Sequence, residues 1–334
     1  MKKKLTALLL ASIMVLSLAA CGGAKTEEST AASGEATPAA DKTYTVGICQ
    51  LVQHPALDAA TQGFKDALTE KLGDKVTFDE QNASGDVPTC AVIANQFVSS
   101  KVDLIMANAT PALQAAQTAT SEIPVLGTSV TDYGTALGMD DWAGTTGTNI
   151  SGTSDLAPLD QQAAMLKELF PDAKNVGILY CSAEPNSKYQ SSVITKLLTE
   201  MGYTCKDYTF SDSNDLQTVV TTAAAESDVI YLPTDNTVAS NTEIIKNVCV
   251  PAGIPIVAGE EGICAGCGVA TLSISYYDLG YATGEMAYEI LVNGADPATM
   301  EIQFAPKFTK EFNAEIAKTL NITIPSDYVA IEAK

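Results

Sequence analysis

Val46-Gly47-Ile48 returns as Val176-Gly177-Ile178, Asp103-Leu104-Ile105 as Asp228-Val229-Ile230, and Ile123-Pro124-Val125 as Ile254-Pro255-Ile256. The three pairs keep their order at offsets of 130, 125 and 131 residues, a period long enough for a whole α/β unit. In both halves short β-branched runs alternate with helical patterns, which predicts parallel strands joined by crossover helices. Strands are expected at 45–49, 76–79, 104–106 and 125–127, then at 176–180, 204–210, 229–232 and 256–258. Helical patterns cover 57–72, 89–100, 111–121, 160–170, 187–201, 216–225, 238–252 and 279–292, with Asp86 and Asp215 as candidate N-caps. The fold class is therefore α/β: two similar doubly wound parallel-sheet lobes joined by a hinge. With crossings near Ser154-Asp155 and near 273–278, one lobe is 43–154 plus about 273–300. The other is 155–272 plus about 301–334.

The 334 residues leave room for two cores. All 19 cations are Lys; against 40 Asp+Glu they give a formal charge of −21. That balance argues against nucleic acid, whose binding rests on Lys/Arg neutralising phosphates, and against a polybasic membrane patch. A chain without Arg has no guanidinium fork for an anionic ligand, so a bound carboxylate must rest on Lys, hydroxyls or backbone N–H groups. One His leaves little scope for His-rich metal sites or His general-base chemistry, and no metal or cofactor is expected.

Lys2-Lys3-Lys4, the apolar run 5–20 and then Cys21 form a charged n-region, an h-region too short to span a membrane comfortably, and a cysteine behind small residues. Residues 1–20 are expected to be a signal peptide. Leu18-Ala19-Ala20-Cys21 looks like the lipobox of bacterial lipoproteins, which makes Cys21 the lipidation site. The stretch through residue 42 is rich in Gly, Ala, Ser, Thr, Glu and Lys and reads as a flexible tether, so the body is expected outside the cytoplasm, anchored to the cell membrane.

In open α/β sheets ligands lie beyond the carboxyl ends of the strands, so two facing lobes make a cleft there. The repeat pairs its loops: 50–58 with 180–187, 107–112 with 233–238, and 128–132 with 259–262. Thr110 matches Asp235, and Ser129 matches Glu260.

Several stretches in order carry a family resemblance: His54-Pro55-Ala56-Leu57-Asp58, Gln81-Asn82-Ala83-Ser84-Gly85-Asp86, Ala109-Thr110-Pro111-Ala112, Ser129-Val130-Thr131-Asp132, Gly152-Thr153-Ser154-Asp155, Glu184-Pro185-Asn186-Ser187 and Pro233-Thr234-Asp235-Asn236-Thr237. Over residues 43–334 the chain resembles substrate-binding lipoproteins of ABC importers, of the tryptophan/tyrosine type with the type I periplasmic-binding-protein fold. Tyr133 departs from the Pro of that pattern, and Cys181 from its Asn. The resemblance implies a small-molecule ligand, an aromatic amino acid foremost, and an ABC permease as partner. A nucleoside or a branched-chain amino acid is the alternative ligand, and a membrane receptor the alternative partner.

The cleft loops then read chemically. Thr110-Pro111 opens a helix whose free N–H groups suit a carboxylate, assisted by Ser129 and Thr131. Glu184, Asn186, Asp235 and Asn236 supply acceptors suited to an ammonium, with Asp155 at the crossover; Gln50, His54, Val130, Ser187 and Glu260 complete the candidate set. Ser129, Asp155, Asn186 and Asp235 are equally ordinary capping residues, and that alternative stands beside ligand contact. Tyr133 and Trp142, ahead of Tyr180 and Tyr231, are candidates for stacking on an aromatic ligand. Cys264 and Cys267 form a lone CxxC, read in a Gly-rich loop; a local disulfide there is one option. No Gly-x-Ser-x-Gly, His-Glu-x-x-His or Walker A motif is present, so no enzyme is expected.

Overall fold

The computed structural model describes residues 42–140 and 142–332; the expected signal peptide, Cys21 and nearly all of the tether lie outside that range. The first half runs β1 (Tyr44–Gln50), α1 (Pro55–Leu72), β2 (Val76–Asn82), α2 (Val87–Ser100), β3 (Leu104–Asn108), α3 (Thr110–Ala119), β4 (Val125–Val130), α4 (Tyr133–Leu137) and β5 (Ile150–Ser154). The second continues with α5 (Leu159–Leu169), β6 (Asn175–Cys181), α6 (Pro185–Glu200), β7 (Thr204–Phe210), α7 (Ser213–Glu226), β8 (Val229–Leu232), α8 (Asn236–Ala239), α9 (Thr242–Ala252), β9 (Ile256–Ala258), α10 (Glu261–Cys267) and β10 (Ala270–Ser273). The chain ends with α11 (Tyr276–Asn293), β11 (Gln303–Phe304), β12 (Thr309–Phe312), α12 (Ala314–Thr319) and β13 (Val329–Ala330).

Among the described residues one sheet has the order β11-β5-β4-β3-β1-β2 and the other β13-β12-β10-β9-β8-β6-β7, so the two lobes share a doubly wound plan. The repeated triplets do the same work twice. Asp103 accepts a hydrogen bond from Thr45 N (2.8 Å) at the foot of β1, and Asp228 from Asn175 N (2.8 Å) at the foot of β6. The Pro124 carbonyl accepts from Ile105 N and the Pro255 carbonyl from Ile230 N, starting the β3–β4 and β8–β9 pairings. A Cβ on Gly47 would lie 2.6 Å from the Phe97 ring, and one on Gly177 2.5 Å from Ser227 Oγ, so both strands need glycine where a neighbour crosses.

After β10 the chain returns to the first lobe, where α11 lies along α1. The helices approach closely because Gly63, Gly280 and Gly284 face backbone; a Cβ on Gly280 would sit 1.9 Å from the Ala60 carbonyl oxygen. β11 still pairs with β5. The last crossing therefore lies between Phe304 and Thr309, a few residues beyond the boundary read near 300.

Other differences have local causes. β5 and β10 are short Ser/Thr/Ala/Gly segments without an apolar alternation; their burial comes from their position in the sheets. The expected 238–252 helix is two, broken at Ser240-Asn241. Asp86 caps α2 as expected, but α7 is capped by Asp212, with Asp215 in its first turn. The CxxC lies on α10 instead of in a loop, and Cys264 and Cys267 are free thiols in the second lobe's core.

Candidate functional site

On the first lobe, β3 delivers Asn108 and then Ala109, held at φ +94°, which turns the chain into α3. Thr110 and Pro111 begin that helix, and among the described residues no side chain caps it, so its first-turn N–H groups and the positive end of its dipole are available to an anion. Beside it the β4–β5 register shifts between Gly127 and Val130, and Ser129 sits in that irregularity at φ +54°. The Ser129 hydroxyl is buried and has no hydrogen-bond partner among the described residues. Two non-glycine residues thus hold unfavourable backbone angles at the ends of neighbouring strands, strain of the kind that gathers where a ligand is clamped.

The second lobe's face is built around Glu184. Its carboxylate accepts from Asn236 N (3.0 Å), Asn236 Nδ2 (2.7 Å), Thr237 N (2.8 Å), Thr237 Oγ1 (2.8 Å) and Asn186 Nδ2 (3.1 Å). Asp235 caps α8 through Val238 N (2.8 Å) and braces Cys181 N (2.7 Å) and the Ser187 hydroxyl (2.8 Å). Burial and the nearby Glu184 push the Asp235 carboxyl above its usual range. Glu260 caps α10 through Gly262 N (2.6 Å) and Ile263 N, and burial pushes it up to about 7.

Contacts cross between the lobes. His54, at the N-cap of α1, places Nε2 3.3 Å from Asn236 Oδ1, and burial lowers its imidazole below the usual 6.5. Gln190 on α6 reaches Thr131 Oγ1 at 3.5 Å. At the first crossover Asp155 Oδ2 accepts from the Tyr276 hydroxyl (3.0 Å), while burial pushes Asp155 up to about 6 against the opposing pull of the Thr131 and Tyr276 hydroxyls. Asp155 Oδ1, Asn186 Oδ1 and His54 Nδ1 join Ser129 Oγ as buried polar atoms with no hydrogen-bond partner among the described residues. Such atoms are costly unless something supplies the missing bonds.

The profile of a family described as "ABC transporter substrate binding protein" matches residues 45–334. The chain belongs to that family. It is 37% identical over 292 residues to a tyrosine-binding protein of Clostridioides difficile strain R20291, covering 86% of this chain and 84% of that one. It superposes with a TM-score of 0.82 on an ABC domain from Streptococcus pneumoniae in complex with L-Trp, at 33% identity, covering 85% of this chain and 97% of that one. Against the ligand-free, open structure of a substrate-binding protein with adhesive properties from Clostridium difficile the TM-score is 0.67, although identity is 37% and coverage 87% and 100%. The fit is thus better to the L-Trp-bound relative than to the open one despite lower identity, and the His54–Asn236 and Gln190–Thr131 contacts join the lobes of this substrate-binding protein. Its α/β lobes have the type I periplasmic-binding-protein fold.

Several expected contacts of this family member are engaged elsewhere. Gln50 is bound by Thr61 Oγ1 (2.6 Å) and donates to Asp58 (2.7 Å) and the Val52 carbonyl (2.9 Å) within the first lobe. The Val130 side chain is in the core, and Glu184, Ser187, Asp235 and Glu260 are occupied by caps and loop braces. The four aromatics also make contacts inside their own lobes, with Trp142 Nε1 left as a buried donor without a hydrogen-bond partner among the described residues. Tyr133 donates to the Thr153 carbonyl and stacks on Trp142 inside the first lobe, Tyr180 donates to Asp207, and Tyr231 donates to Gln162. Gln190 and Tyr276 were missed, though Gln190 follows Asn186 by one helical turn and Tyr276 opens the crossover helix. A cavity of about 920 Å³ beside the hinge is lined by Glu260, Tyr276, Phe304 and Lys307, but by none of Thr110, Ser129, Thr131 and Asn186. It meets the polar cluster at Tyr276, whose hydroxyl bonds Asp155.

Proposed function

We propose that this protein captures an aromatic amino acid between its lobes and presents it, closed, to a membrane permease, without chemistry on the ligand. The observation that carries the reading is that four of the nine buried side-chain polar atoms without a hydrogen-bond partner among the described residues, those of His54, Ser129, Asp155 and Asn186, belong to expected cleft residues of both lobes and the crossover. Ser129 Oγ beside the uncapped start of α3 suits an α-carboxylate, with Thr110 and Thr131 at its margin. Asp155 Oδ1 and Asn186 Oδ1 are acceptors for an α-ammonium; the Asn186 amide is oriented by its Nδ2, which donates to Glu184 and to the Thr234 carbonyl. A zwitterion would complete both clusters and join the lobes, which is how a ligand shifts a hinge equilibrium towards closure. The tyrosine-binding and L-Trp-bound relatives support an aromatic side chain. Cys21 would carry the lipid that holds the protein outside the cytoplasm, tested by loss of palmitate labelling in Cys21→Ser.

Thermal shift and calorimetry with Tyr, Trp, Phe, Leu and a nucleoside test the ligand class. Saturable stabilisation by aromatic amino acids is expected, rising with ligand concentration as preferential binding to the native state requires. Stabilisation by the nucleoside or Leu alone would overturn it.

A further inference from the structure

Resting on that reading of the cleft, we propose that His54 Nδ1 is the hydrogen-bond acceptor for a donor carried on the ligand's ring, so that the site selects the phenol of Tyr or the indole of Trp over the bare ring of Phe. The argument is a chain of hydrogen-bond directions. Glu184, with five N–H and O–H groups directed at it, acts only as an acceptor. Asn236 must therefore turn its Nδ2 towards Glu184 (2.7 Å) and its Oδ1 outward. The outward Oδ1 lies 3.3 Å from His54 Nε2, so Nε2 carries the proton in that bond. Burial holds the imidazole neutral, which leaves Nδ1 with a lone pair and no proton. His54 is 7% exposed, and Nδ1 has no partner among the described residues. Two residues of the second lobe, Glu184 and Asn236, thus fix the tautomer of a first-lobe residue, and the lock forms only when the lobes meet. Asn236 is a positioning residue here; the predicted contact with the ligand belongs to His54.

A site built to bond a ligand's hydroxyl or N–H rejects the analogue that lacks it far more strongly than an apolar pocket rejects a size change. Tyr is expected to bind at least about tenfold more tightly than Phe or O-methyl-tyrosine, and Trp similarly over 1-methyl-tryptophan. In His54→Ala the Tyr-to-Phe ratio is expected to fall towards one while Phe still binds. His54 is the sole histidine of the chain, so nitrogen-15 NMR reads this tautomer without assignment. Full-chain protein saturated with Tyr should show protonated Nε2 and an Nδ1 shifted by accepting a hydrogen bond; the Phe complex should show the same tautomer with Nδ1 unshifted. Asn236→Ala should let the Nδ1–H form appear. Saturable Tyr binding with Nδ1 protonated or unmoved overturns the proposal and leaves the aromatic-ligand reading standing. An equal Nδ1 shift with Phe overturns it too, by placing the ligand's ammonium there. Failure of every aromatic amino acid to bind removes both.

Discussion

Ser129 and Asp235 sit on comparable loops, each at the end of a strand facing the cleft, and their hydrogen bonding separates them. The Ser129 hydroxyl has no hydrogen-bond partner among the described residues, so Ser129→Ala should leave the unfolding free energy within about 0.5 kcal/mol of the parent. The same change should weaken ligand binding about tenfold, the worth of one hydrogen bond to a charged group. Asp235→Ala strands the Val238 and Cys181 N–H groups and the Ser187 hydroxyl, all from buried residues. It should cost about 2–4 kcal/mol of stability, as uncompensated buried donors do. Urea unfolding and calorimetry on the two variants check both outcomes, and equal losses of stability would erase the distinction. Sequence placed both residues on cleft loops because the repeat matches 128–132 with 259–262 and 107–112 with 233–238. It could not say which was already engaged, since an Asp that caps and an Asp that binds have the same neighbours in the chain.

At the scale of elements, the α1–α11 contact decides whether the crossover helix stays on the first lobe. Gly280 has the Ala60 carbonyl 1.9 Å from where its Cβ would be, and that oxygen is backbone, so it has no rotamer into which to retreat. Gly280→Ala should therefore cost about 1–3 kcal/mol by forcing the helices apart. Gly294→Ala, at a cap with nothing near its Cβ but φ +70°, tests strain without overpacking. The expected result is a lower denaturant midpoint for Gly280→Ala, with ligand affinity reduced too because α11 carries Tyr276 to Asp155. Most elements were legible from apolar runs and their repeat. β5, β10 and α10 were not, because Ile150–Ser154 and Ala270–Ser273 owe their burial to neighbouring strands, and Glu261–Cys267 packs Gly and Cys into a helix that local propensity does not announce; the short α4, β11, β12, α12 and β13 were not read either.

For the whole molecule, no Arg and a charge of −21 make cations scarce, and among the described residues none offsets Asp155 or Glu260. Asp155 rises from 3.8 to about 6 and Glu260 from 4.5 to about 7, chiefly through burial. A carboxyl whose folded pKa lies above its unfolded value binds more protons in the folded state between the two values. Stability is therefore lost as pH rises from about 4 to about 7, and Asp235, raised to about 8 by burial and by Glu184, extends the loss beyond that. At about 1.4 kcal/mol per unit, Asp155 alone accounts for about 3 kcal/mol. Rising negative charge acts in the same direction, so the ligand-free protein should melt higher at pH 5 than at pH 7.5, and Asp155→Asn should make the fall between pH 4 and 6 shallower while the part due to Glu260 and Asp235 remains. Ligand reverses the sign locally. An ammonium on Asp155 Oδ1 favours the carboxylate, so binding should release a proton below pH 6 and tighten as pH rises through that value. Calorimetry in buffers of different ionisation enthalpy measures that release directly. Proton release that persists in Asp155→Asn would move the ammonium to another partner and separate the hinge carboxylate from ligand capture.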